Sequence, residues 1–356
     1  MRKVIAFLTA LIMVLGCCGL LSGCSGKKTT IYVYNWQEYI GTGEDDTLDV
    51  IAAFEEKYPH IRVKYSTYSD NETMYAKLKN GGITVDVIIP SDYMIGRMIQ
   101  ENMLQELDFN NIPNYANIDE SFKGMAHDPE NKYSVPYTWG TVGIIYNKKF
   151  VAEEDLGSWD LLWNEKYDDK ILMFGNSRDA FGIAELLLGY DINSTDEAVL
   201  KACAAKLAEQ KPLVQQYVMD EVFAAMVEEN AYIAPYYAGD YVFMAQENGN
   251  LGFYLPKEGF NLFVDSMCIP TCAEQKEAAE LFIDFLSDPE ISGKNMDAIC
   301  YATPITAAKQ YMDQELANNP ASYPSEEALA NGKAFAYLSA ETNRRLEELF
   351  LEVRNS

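Results

Sequence analysis

The sequence predicts an α/β fold of two domains, in which helices cover both faces of a β-sheet. Segments rich in β-branched and aromatic residues alternate with amphipathic helical segments along most of the chain. Several β segments, among them Val85–Ile89, are almost continuously apolar, which is typical of strands buried on both faces. A chain of 356 residues is too long to fold around one small hydrophobic core, so two domains are expected.

The first third of the chain supplies three strand–helix pairs. The predicted strands are Ile31–Tyr34, Ile61–Tyr65 and Val85–Ile89, and the predicted helices are Leu48–Tyr58, Met74–Leu78 and Met94–Asn102. Pro59 ends the first helix and Pro90 ends the third strand, because proline lacks the amide hydrogen that either element needs to continue.

The rest of the chain repeats this order and ends mostly in helices. The predicted strands are Val142–Tyr146, Lys170–Phe174 and Ala231–Pro235. The predicted helices are Trp159–Trp163 with Ser158 as N-cap, Ala180–Tyr190, Thr195–Gln210, Val218–Glu228, Ala273–Ser287, Pro289–Ala298, Ser325–Asn331 and Ser339–Val353.

The N-terminus has the features of a secretory signal peptide. Arg2 and Lys3 precede an apolar stretch, Val4–Leu15, that is too short to span a bilayer. The run Leu21-Ser22-Gly23-Cys24 then resembles a bacterial lipobox, in which the cysteine is lipidated and becomes the new N-terminus. An ordinary signal cleavage nearby, with Cys24 as a bystander, is the alternative. We therefore predict a signal peptide over 1–23, lipidation of Cys24 and a tether over 24–30.

Charge and composition exclude several classes of function. The formal net charge of −26 excludes nucleic-acid binding through phosphates, and a field of this sign favours cationic ligands. The chain contains two histidines, and its later cysteines Cys203, Cys268, Cys272 and Cys300 lack C-x-x-C spacing, so a Cys/His metal site is not expected. We expect these cysteines to be isolated buried thiols, with a disulfide among them left open.

The common catalytic motifs are also missing. The sequence has no phosphate loop, no dinucleotide fingerprint and no nucleophile elbow. His60 and His127 lie in polar segments and are expected at the surface rather than in a catalytic triad. Catalysis by a pair of carboxylates stays open, because Asp and Glu are abundant.

Aromatic and acidic residues occur together at four places near strands. These segments are Tyr34–Tyr39, Ser91–Tyr93, Tyr236–Tyr241 and Phe263–Asp265. Because ligands of open α/β sheets bind beyond the carboxyl ends of the strands, we expect several of the segments to meet in one cleft. Carboxylates accept charge-assisted hydrogen bonds from an ammonium, and ring faces cover methylene groups and attract cations. The pattern favours an organic cation, with core aromatics beside solvated acids as the alternative.

At these residues the chain resembles the spermidine/putrescine-binding proteins of bacterial ABC importers. The matching motifs keep the same order over nearly the whole chain. They are Tyr34–Tyr39, Tyr65–Tyr68, Asn71–Leu78, Pro90–Tyr93, Tyr133–Gly140, Ser158–Trp163, Val264–Ser266 and Tyr301–Pro304.

The resemblance implies a two-lobed, periplasmic-binding-protein-like fold of type II with a ligand cleft between the lobes. Residues 30–138 and 266–356 would form lobe 1, and residues 139–265 would form lobe 2, with closure by hinge motion. It further implies a monomeric receptor, not an enzyme, without cofactor or metal. The receptor would be held outside the cell at the membrane and would deliver a polyamine to the transmembrane subunits of a permease.

The resemblance also implies which residues bind the ligand. Positions that match family contacts are Trp36, Tyr39, Ser91, Tyr93, Asp179, Asp240, Asp265 and Tyr301, and Arg178 falls beside them. Asn176, Tyr237 and Phe263 occupy contact positions where the family usually has Asp, Trp and Trp. Phe335 stands where a Gln is expected. The loss of one acid and one polar contact favours putrescine over spermidine.

Other functions fit parts of the same pattern. A related receptor for an iron complex, thiamine or a sugar would also use aromatic loops, and a sensor would bind polyamine but dock on a receptor instead of a permease. A secreted glycosidase would use two carboxylates about 5–10 Å apart.

Overall fold

A computed structural model describes residues 28–355, so the predicted signal peptide and Cys24 lie outside the described residues. The strands are β1 Thr29–Trp36, β2 Ile61–Tyr68, β3 Val87–Ile88, β4 Ser134–Asn147, β5 Ile171–Phe174, β6 Val214–Val218, β7 Ile233–Tyr237, β8 Leu251–Tyr254, β9 Phe260–Cys268 and β10 Gly332–Lys333.

Helices follow most of the strands. They are α1 Val50–Lys57, α2 Asn71–Asn80, α3 Asp92–Gln100, α4 Ser177–Leu187, α5 Glu197–Gln210, α6 Val222–Val227, α7 Ala238–Glu247, α8 Lys276–Leu286, α9 Pro289–Ile299, α10 Gln314–Ala317, α11 Glu326–Leu329 and α12 Ala340–Asn355. Short 3₁₀ helices connect them at Glu44–Asp46, Pro113–Asn117, Glu120–Phe122, Glu153–Asp155, Trp159–Trp163, Glu165–Tyr167, Lys211–Leu213 and Thr306–Tyr311. The predicted α/β class is confirmed.

Two long antiparallel strands join the two halves of the sheet. The strand order is β2-β1-β3-β9-β4-β7-β5-β6, so β9 and β4 lie between the parallel set β1–β3 and the set containing β5–β7. The first part of β4 pairs with β9, from Ser134 opposite Cys268 to Thr141 opposite Leu262. Its last part pairs with β7 and β8. Both halves therefore share a continuous backbone through these two strands.

An irregularity in β4 turns two consecutive side chains toward the same neighbour. The register with β9 shifts between Pro136 and Thr138. The Tyr137 hydroxyl donates to the carbonyl of Tyr39 at 2.6 Å, and Thr138 Oγ1 lies 2.5 Å from the Tyr39 hydroxyl. A regular strand would point these two side chains to opposite faces, so the bulge lets β4 hold Tyr39 from two sides.

The C-terminal segment crosses from one half to the other. β10 pairs with β9, and α12 then packs against α4 and α5. Leu346, Leu349, Phe350 and Val353 form the buried face of α12, at the helical spacing that the sequence shows.

Several element boundaries differ from the predictions. The helix predicted over Val218–Glu228 is shorter in the structure, because Val218 ends strand β6 and α6 runs over Val222–Val227. Strand β6 itself was not predicted, because it is an edge strand whose exposed positions accept Gln. The predicted strand Val142–Tyr146 begins eight residues earlier, at Ser134, despite Pro136, which lies at the register shift. The predicted N-cap is confirmed, since Ser158 accepts a hydrogen bond from the Asp160 amide at 3.0 Å, although the helix is 3₁₀.

Two surface expectations need correction. Cys203, Cys268 and Cys300 are buried free thiols, but Cys272 is exposed because it lies in the turn after β9. His60 is exposed as expected, whereas His127 is half-buried beside Gly96 of α3, and burial lowers its pKa to about 4. None of the helices within residues 28–355 has the length and apolar character needed to cross a membrane.

Gly140 of β4 is required by the packing of Phe263 on the paired strand. A Cβ at Gly140 would lie 2.8 Å from Cζ of Phe263. We expect Gly140→Ala to lower the free energy of unfolding by about 1–3 kcal/mol, as overpacking does, measured by urea denaturation. Gly249→Ala is the matched control, because no atom lies within 4 Å of the added Cβ. Equal stability of the two variants would contradict this account of Gly140.

Candidate functional site

A cleft lies where β1 and β7 end and where β9 passes between the two halves of the sheet. It encloses about 860 Å³, including open space at its mouth. The structure brings the predicted site residues to its walls: Trp36, Tyr39, Ser91, Tyr93, Asn176, Asp179, Tyr237, Asp240, Phe263, Asp265 and Tyr301. Sequence positions as distant as 36 and 301 therefore meet at one place, as expected for the carboxyl ends of strands.

Asp265, on β9, is a buried carboxylate in the lining of the cleft. Its side chain is 4% exposed, and Oδ2 accepts a hydrogen bond from the Tyr39 hydroxyl at 2.6 Å. Since that hydroxyl has one proton, Thr138 must donate to Tyr39. Oδ1 of Asp265 has no hydrogen-bond partner among the described residues. Burial raises the pKa of Asp265 to about 6, against the effect of the Tyr39 hydrogen bond.

A second carboxylate, Asp179, lies in the first turn of α4. Asn176 caps this helix by accepting from the Asp179 amide at 2.8 Å, and its Nδ2 donates to Asp179 Oδ2 at 2.8 Å. The Tyr237 hydroxyl donates to the same oxygen at 2.8 Å. Burial raises the pKa of Asp179 above its ordinary value. Asn176 thus fixes the position of an acid in addition to lining the cleft.

Tyr93 and Trp36 close the side of the cleft formed by the first part of the chain. The Tyr93 hydroxyl donates to Glu72 Oε1 at 3.0 Å and accepts from Asn71 Nδ2 at 3.1 Å. Trp36 Nε1 donates to the Ile89 carbonyl at 2.8 Å, which fixes its ring. Both rings therefore have their polar atoms satisfied by protein and present apolar surface to the cleft.

Tyr301 packs over the start of α7, where Asp240 lies. A Cβ at Gly239 would be 2.4 Å from the Tyr301 ring, so this close approach requires glycine. Burial raises the pKa of Asp240 to about 7, with the nearby charges of Asp220 and Glu38 adding to the rise and hydrogen bonding by Tyr301 opposing it. The three acids Glu38, Asp220 and Asp240 come together at this end.

The rings form a continuous wall of edge-to-face contacts. Tyr301 lies 4.9 Å from Tyr39 and 6.5 Å from Phe263, and Phe263 lies 5.6 Å from Tyr237 between ring centroids. Tyr237 and Phe263 therefore line the cleft as aromatic walls, in the positions where the resemblance led us to expect tryptophan.

Acidic side chains gather in the cleft, and no cationic side chain of the described residues lines it. Among the described residues that line it, none is Lys, Arg or His, and the acidic ones are Glu38, Asp70, Glu72, Asp92, Asp179, Asp220, Asp240 and Asp265. Burial raises the pKa of Asp92 to about 8 and that of Glu72 to about 7. Unpaired buried carboxylates are costly, and a bound cation would remove that cost.

Sequence analysis did not assign five of these acids as site residues: Glu38, Asp70, Glu72, Asp92 and Asp220. Glu72 follows Asp70, the N-cap of α2, and Asp92 begins α3, so both lie at helix starts within motifs already noted. Asp220 follows strand β6, which was not predicted, and lies in the segment Val218–Glu228 that was predicted as a helix. The correct strand assignment would have placed it at a strand end.

The geometry favours binding of a cation over chemistry at a metal. Within residues 28–355, His, Cys, Asp and Glu nowhere form a group that could hold a metal ion. The cleft offers an unpaired carboxylate oxygen, further acids and ring faces, the groups that contact an organic ammonium.

Comparison with known proteins gives consistent matches. Residues 83–331 match the family model of bacterial extracellular solute-binding proteins. The chain is 33% identical over 317 residues to the spermidine/putrescine-binding periplasmic protein of Escherichia coli, covering 88% of this chain and 89% of that protein. It is 28% identical over 350 residues to a putrescine-binding periplasmic protein of Pseudomonas aeruginosa, with 93% of each covered.

Solved structures share the fold. A Listeria monocytogenes protein named for a spermidine/putrescine ABC transporter superposes with a TM-score of 0.86 at 35% identity, covering 92% of this chain and 99% of that chain. A Treponema pallidum lipoprotein gives a TM-score of 0.80 at 26% identity, covering 92% of this chain and all of the other, 100%.

The raised pKa of Asp240 predicts how the stability of the ligand-free protein changes with pH. A carboxyl whose pKa rises on folding stabilises the fold while protonated, and that contribution is lost as the pH rises through its folded pKa of about 7. Asp240→Asn stays neutral, so we expect its free energy of unfolding relative to wild type to increase by about 2–3 kcal/mol between pH 5 and pH 8.

Urea unfolding at pH 5, 6, 7 and 8 measures this difference. Asp160→Asn serves as control, because Asp160 is exposed and outside the cleft lining. If the free energies of unfolding of wild type and Asp240→Asn change in parallel with pH, Asp240 does not gain a proton on folding.

Proposed function

The chain belongs to the bacterial extracellular solute-binding proteins, and we propose that it captures a polyamine outside the cell and delivers it to the permease of an ABC importer. The observation that carries the proposal is the buried acidic and aromatic cleft that lacks a cationic side chain among the described residues. Ammonium groups of a polyamine would pair with these acids, and the rings would cover the methylene groups between them.

The names of the relatives support this ligand class. The Escherichia coli protein is named for spermidine and putrescine, and the Pseudomonas aeruginosa protein is named for putrescine. The matches extend over most of each chain. A sugar or another uncharged solute could donate hydrogen bonds to these carboxylates but would not compensate their negative charge.

In this proposal the two halves of the sheet are lobes that close on the ligand. Lobe 1 comprises residues 30–138 and 266–356, and lobe 2 comprises residues 139–265. β4 and β9 pass between the lobes and provide the hinge, while α12 reaches from the end of lobe 1 onto α4 and α5. The ligand favours closure because the closed state offers it contacts from both lobes.

The proposal includes attachment to the membrane by lipidated Cys24. The lipobox-like run ends at Cys24 and strand β1 begins at Thr29, so only four residues, 25–28, separate the proposed lipidation site from the sheet. The Treponema pallidum structure is that of a lipoprotein, which supports an anchor in this group of proteins.

Calorimetric titration of the chain from Ser25 onward with putrescine and spermidine tests ligand binding. We expect at least one of them to bind, and Asp265→Asn to weaken that binding by ~30-fold or more, since removing one partner of a buried charge pair costs about 2–5 kcal/mol. Affinity should also fall below pH 6, where Asp265 becomes protonated.

Asp160→Asn removes the same charge at an exposed position and should leave the affinity unchanged. No heat and no rise in melting temperature with either amine would refute the polyamine proposal. An unchanged affinity in Asp265→Asn would refute the role of that carboxylate alone.

Metabolic labelling with palmitate tests the anchor. We expect the wild-type chain to be labelled and to fractionate with membranes, and Cys24→Ala to lose both properties. Label that persists in Cys24→Ala would exclude Cys24 as the site of lipidation.

A further inference from the structure

Two buried carboxylates in the lining of the cleft each keep one oxygen without a partner. Asp92, the first residue of α3, is 3% exposed, and Asp265 of β9 is 4% exposed. Oδ1 of Asp92 accepts from the Tyr93 amide at 2.7 Å, whereas Oδ2 has no hydrogen-bond partner. Oδ1 of Asp265 also lacks a partner. Among the aspartates that the structure describes, these two alone have a buried oxygen in this condition.

Asp86 shows how the chain satisfies a buried aspartate that has a structural role. Its side chain is fully buried, and Oδ2 accepts from the Tyr32 amide at 2.9 Å. Oδ1 accepts from the amides of Glu274 at 3.0 Å and Gln275 at 2.9 Å. Asp86 therefore links β1 to the segment before α8, with donors for both oxygens. Asp92 has a single short-range donor and links no distant segments through its side chain, so packing alone does not explain a buried acid there.

The main chain holds the two acids of the cleft beside each other. Ser91, which precedes Asp92, forms an antiparallel bridge with Asp265. The Ser266 amide donates to the Pro90 carbonyl at 3.1 Å, directly next to that bridge. The spacing between the start of α3 and β9 is therefore fixed by backbone hydrogen bonds, and the charge state of each acid affects the other.

This arrangement gives the two acids different charge states in the empty cleft. Burial raises the pKa of Asp92 to about 8, and the negative charge of Asp265 adds to the rise. The amides of Tyr93 and Val264 and the charge of Arg178 oppose it. The pKa of Asp265 rises only to about 6. At pH 7, Asp265 therefore carries a negative charge and Asp92 carries a proton.

The nearby guanidinium does not neutralise Asp92. Arg178 of α4 donates to the Ile192 carbonyl at 3.0 Å, to Asn193 Oδ1 at 2.7 Å and to the Ala336 carbonyl at 3.3 Å. Within the described part of the chain, it forms no ion pair with a carboxylate at 4 Å or less. Its charge thus moderates the pKa of Asp92 from a distance without taking up the free oxygen.

The other titratable groups around the two acids bring no positive charge. They are Asp179 on α4, Tyr39 after β1, Tyr68 on β2, Tyr137 on β4 and Glu72 on α2, which reaches the site through Tyr93. A cation that compensates Asp92 and Asp265 together must therefore come from outside the cleft lining.

We propose that Asp92 is the second acid of an ammonium subsite at Asp265, and that the ligand enters this subsite in exchange for the proton that Asp92 holds. The inference rests on the proposed function and deepens it. The ammonium group donates to the free oxygen of Asp265, and its positive charge favours the ionised form of Asp92. The O–H bond of the Asp92 carboxyl breaks and its proton passes to solvent, while the amine keeps all of its protons. Capture of a polyamine therefore releases a proton, and the empty cleft does not have to bury two uncompensated charges.

Counting the protons released on binding tests the exchange. The chain from Ser25 onward is titrated calorimetrically at pH 7 with putrescine and, in parallel, with spermidine, in buffers that differ in their enthalpy of ionisation. We expect wild type to release about one proton more per ligand than Asp92→Asn, because Asp92 is largely protonated at this pH. Asp240 and Glu72 also have raised pKa values, but both chains contain them, so the difference isolates Asp92.

The pH dependence of affinity gives a second measurement. Between pH 6 and pH 8, wild type should gain ~10-fold more affinity than Asp92→Asn, because deprotonating Asp92 opposes binding less as the pH rises. Asparagine keeps an oxygen for the Tyr93 amide and resembles the protonated acid, so the variant should fold. Asp92→Ser removes the acid with a smaller side chain and serves if the asparagine variant does not fold.

Asp160→Asn removes a carboxylate at an exposed position outside the cleft lining, and it should leave both the proton count and the pH dependence unchanged. Equal proton release by wild type and the Asp92 variants would overturn the exchange. A loss of affinity that is the same at every pH would also overturn it, because it would assign Asp92 a structural role alone. The polyamine proposal would survive either result. Wild type that binds neither amine would refute the proposed function and this inference together.

Discussion

The hydrogen bond from Tyr39 to Asp265 is the contact on which the geometry of the cleft depends. Tyr39 follows β1, Asp265 lies on β9, and Thr138 on β4 completes the group, so one hydroxyl links three parts of the sheet. The bulge in β4 exists at this point and lets Tyr137 hold the Tyr39 backbone as well. A buried carboxylate is tolerated here because a donor is fixed in place for one oxygen, and the other oxygen is left for a ligand.

Folding and binding make opposite demands on this cleft. Asp92 and Asp265 are buried, Asp240 is half-buried, and all three have raised pKa values, so the empty site disfavours their charged forms. A ligand with ammonium groups would reverse this preference, because each opposite charge nearby lowers a carboxyl pKa. Burying these acids costs the ligand-free fold free energy. A bound ligand that pairs with them removes this cost, so ligand binding and closure of the cleft would be coupled.

Local sequence patterns predicted a helix or strand well where a single feature, such as burial or capping, determined the element. They predicted an element poorly where its position in the sheet changed which residues it accepts. The apolar run at β3 and the N-cap at Ser158 were recognised because burial and capping each have a simple pattern. β6 was missed because its Gln residues belong to an exposed edge, which only the sheet order reveals. The resemblance predicted that Trp36 and Tyr301 lie in the same cleft. The contact of the Phe335 ring with Gly182 could be seen only in the structure, because contacts between distant positions leave no local sequence pattern.

The preference of the cleft for cations is a local property and does not follow from the net charge of −26. Exposed charges are screened within about 8 Å at physiological ionic strength, so most surface acids contribute little to the field in the cleft. Buried acids act through a medium of lower dielectric constant, and their effect persists in salt. Arg178, a buried cation 4.1 Å from the ring of Phe335 in the cleft lining, therefore acts on one end of the cleft and lowers the pKa of Asp92 there, against the effect of burial. The buried charges and the groups that surround them therefore determine which ligand binds more than the total charge of the chain does.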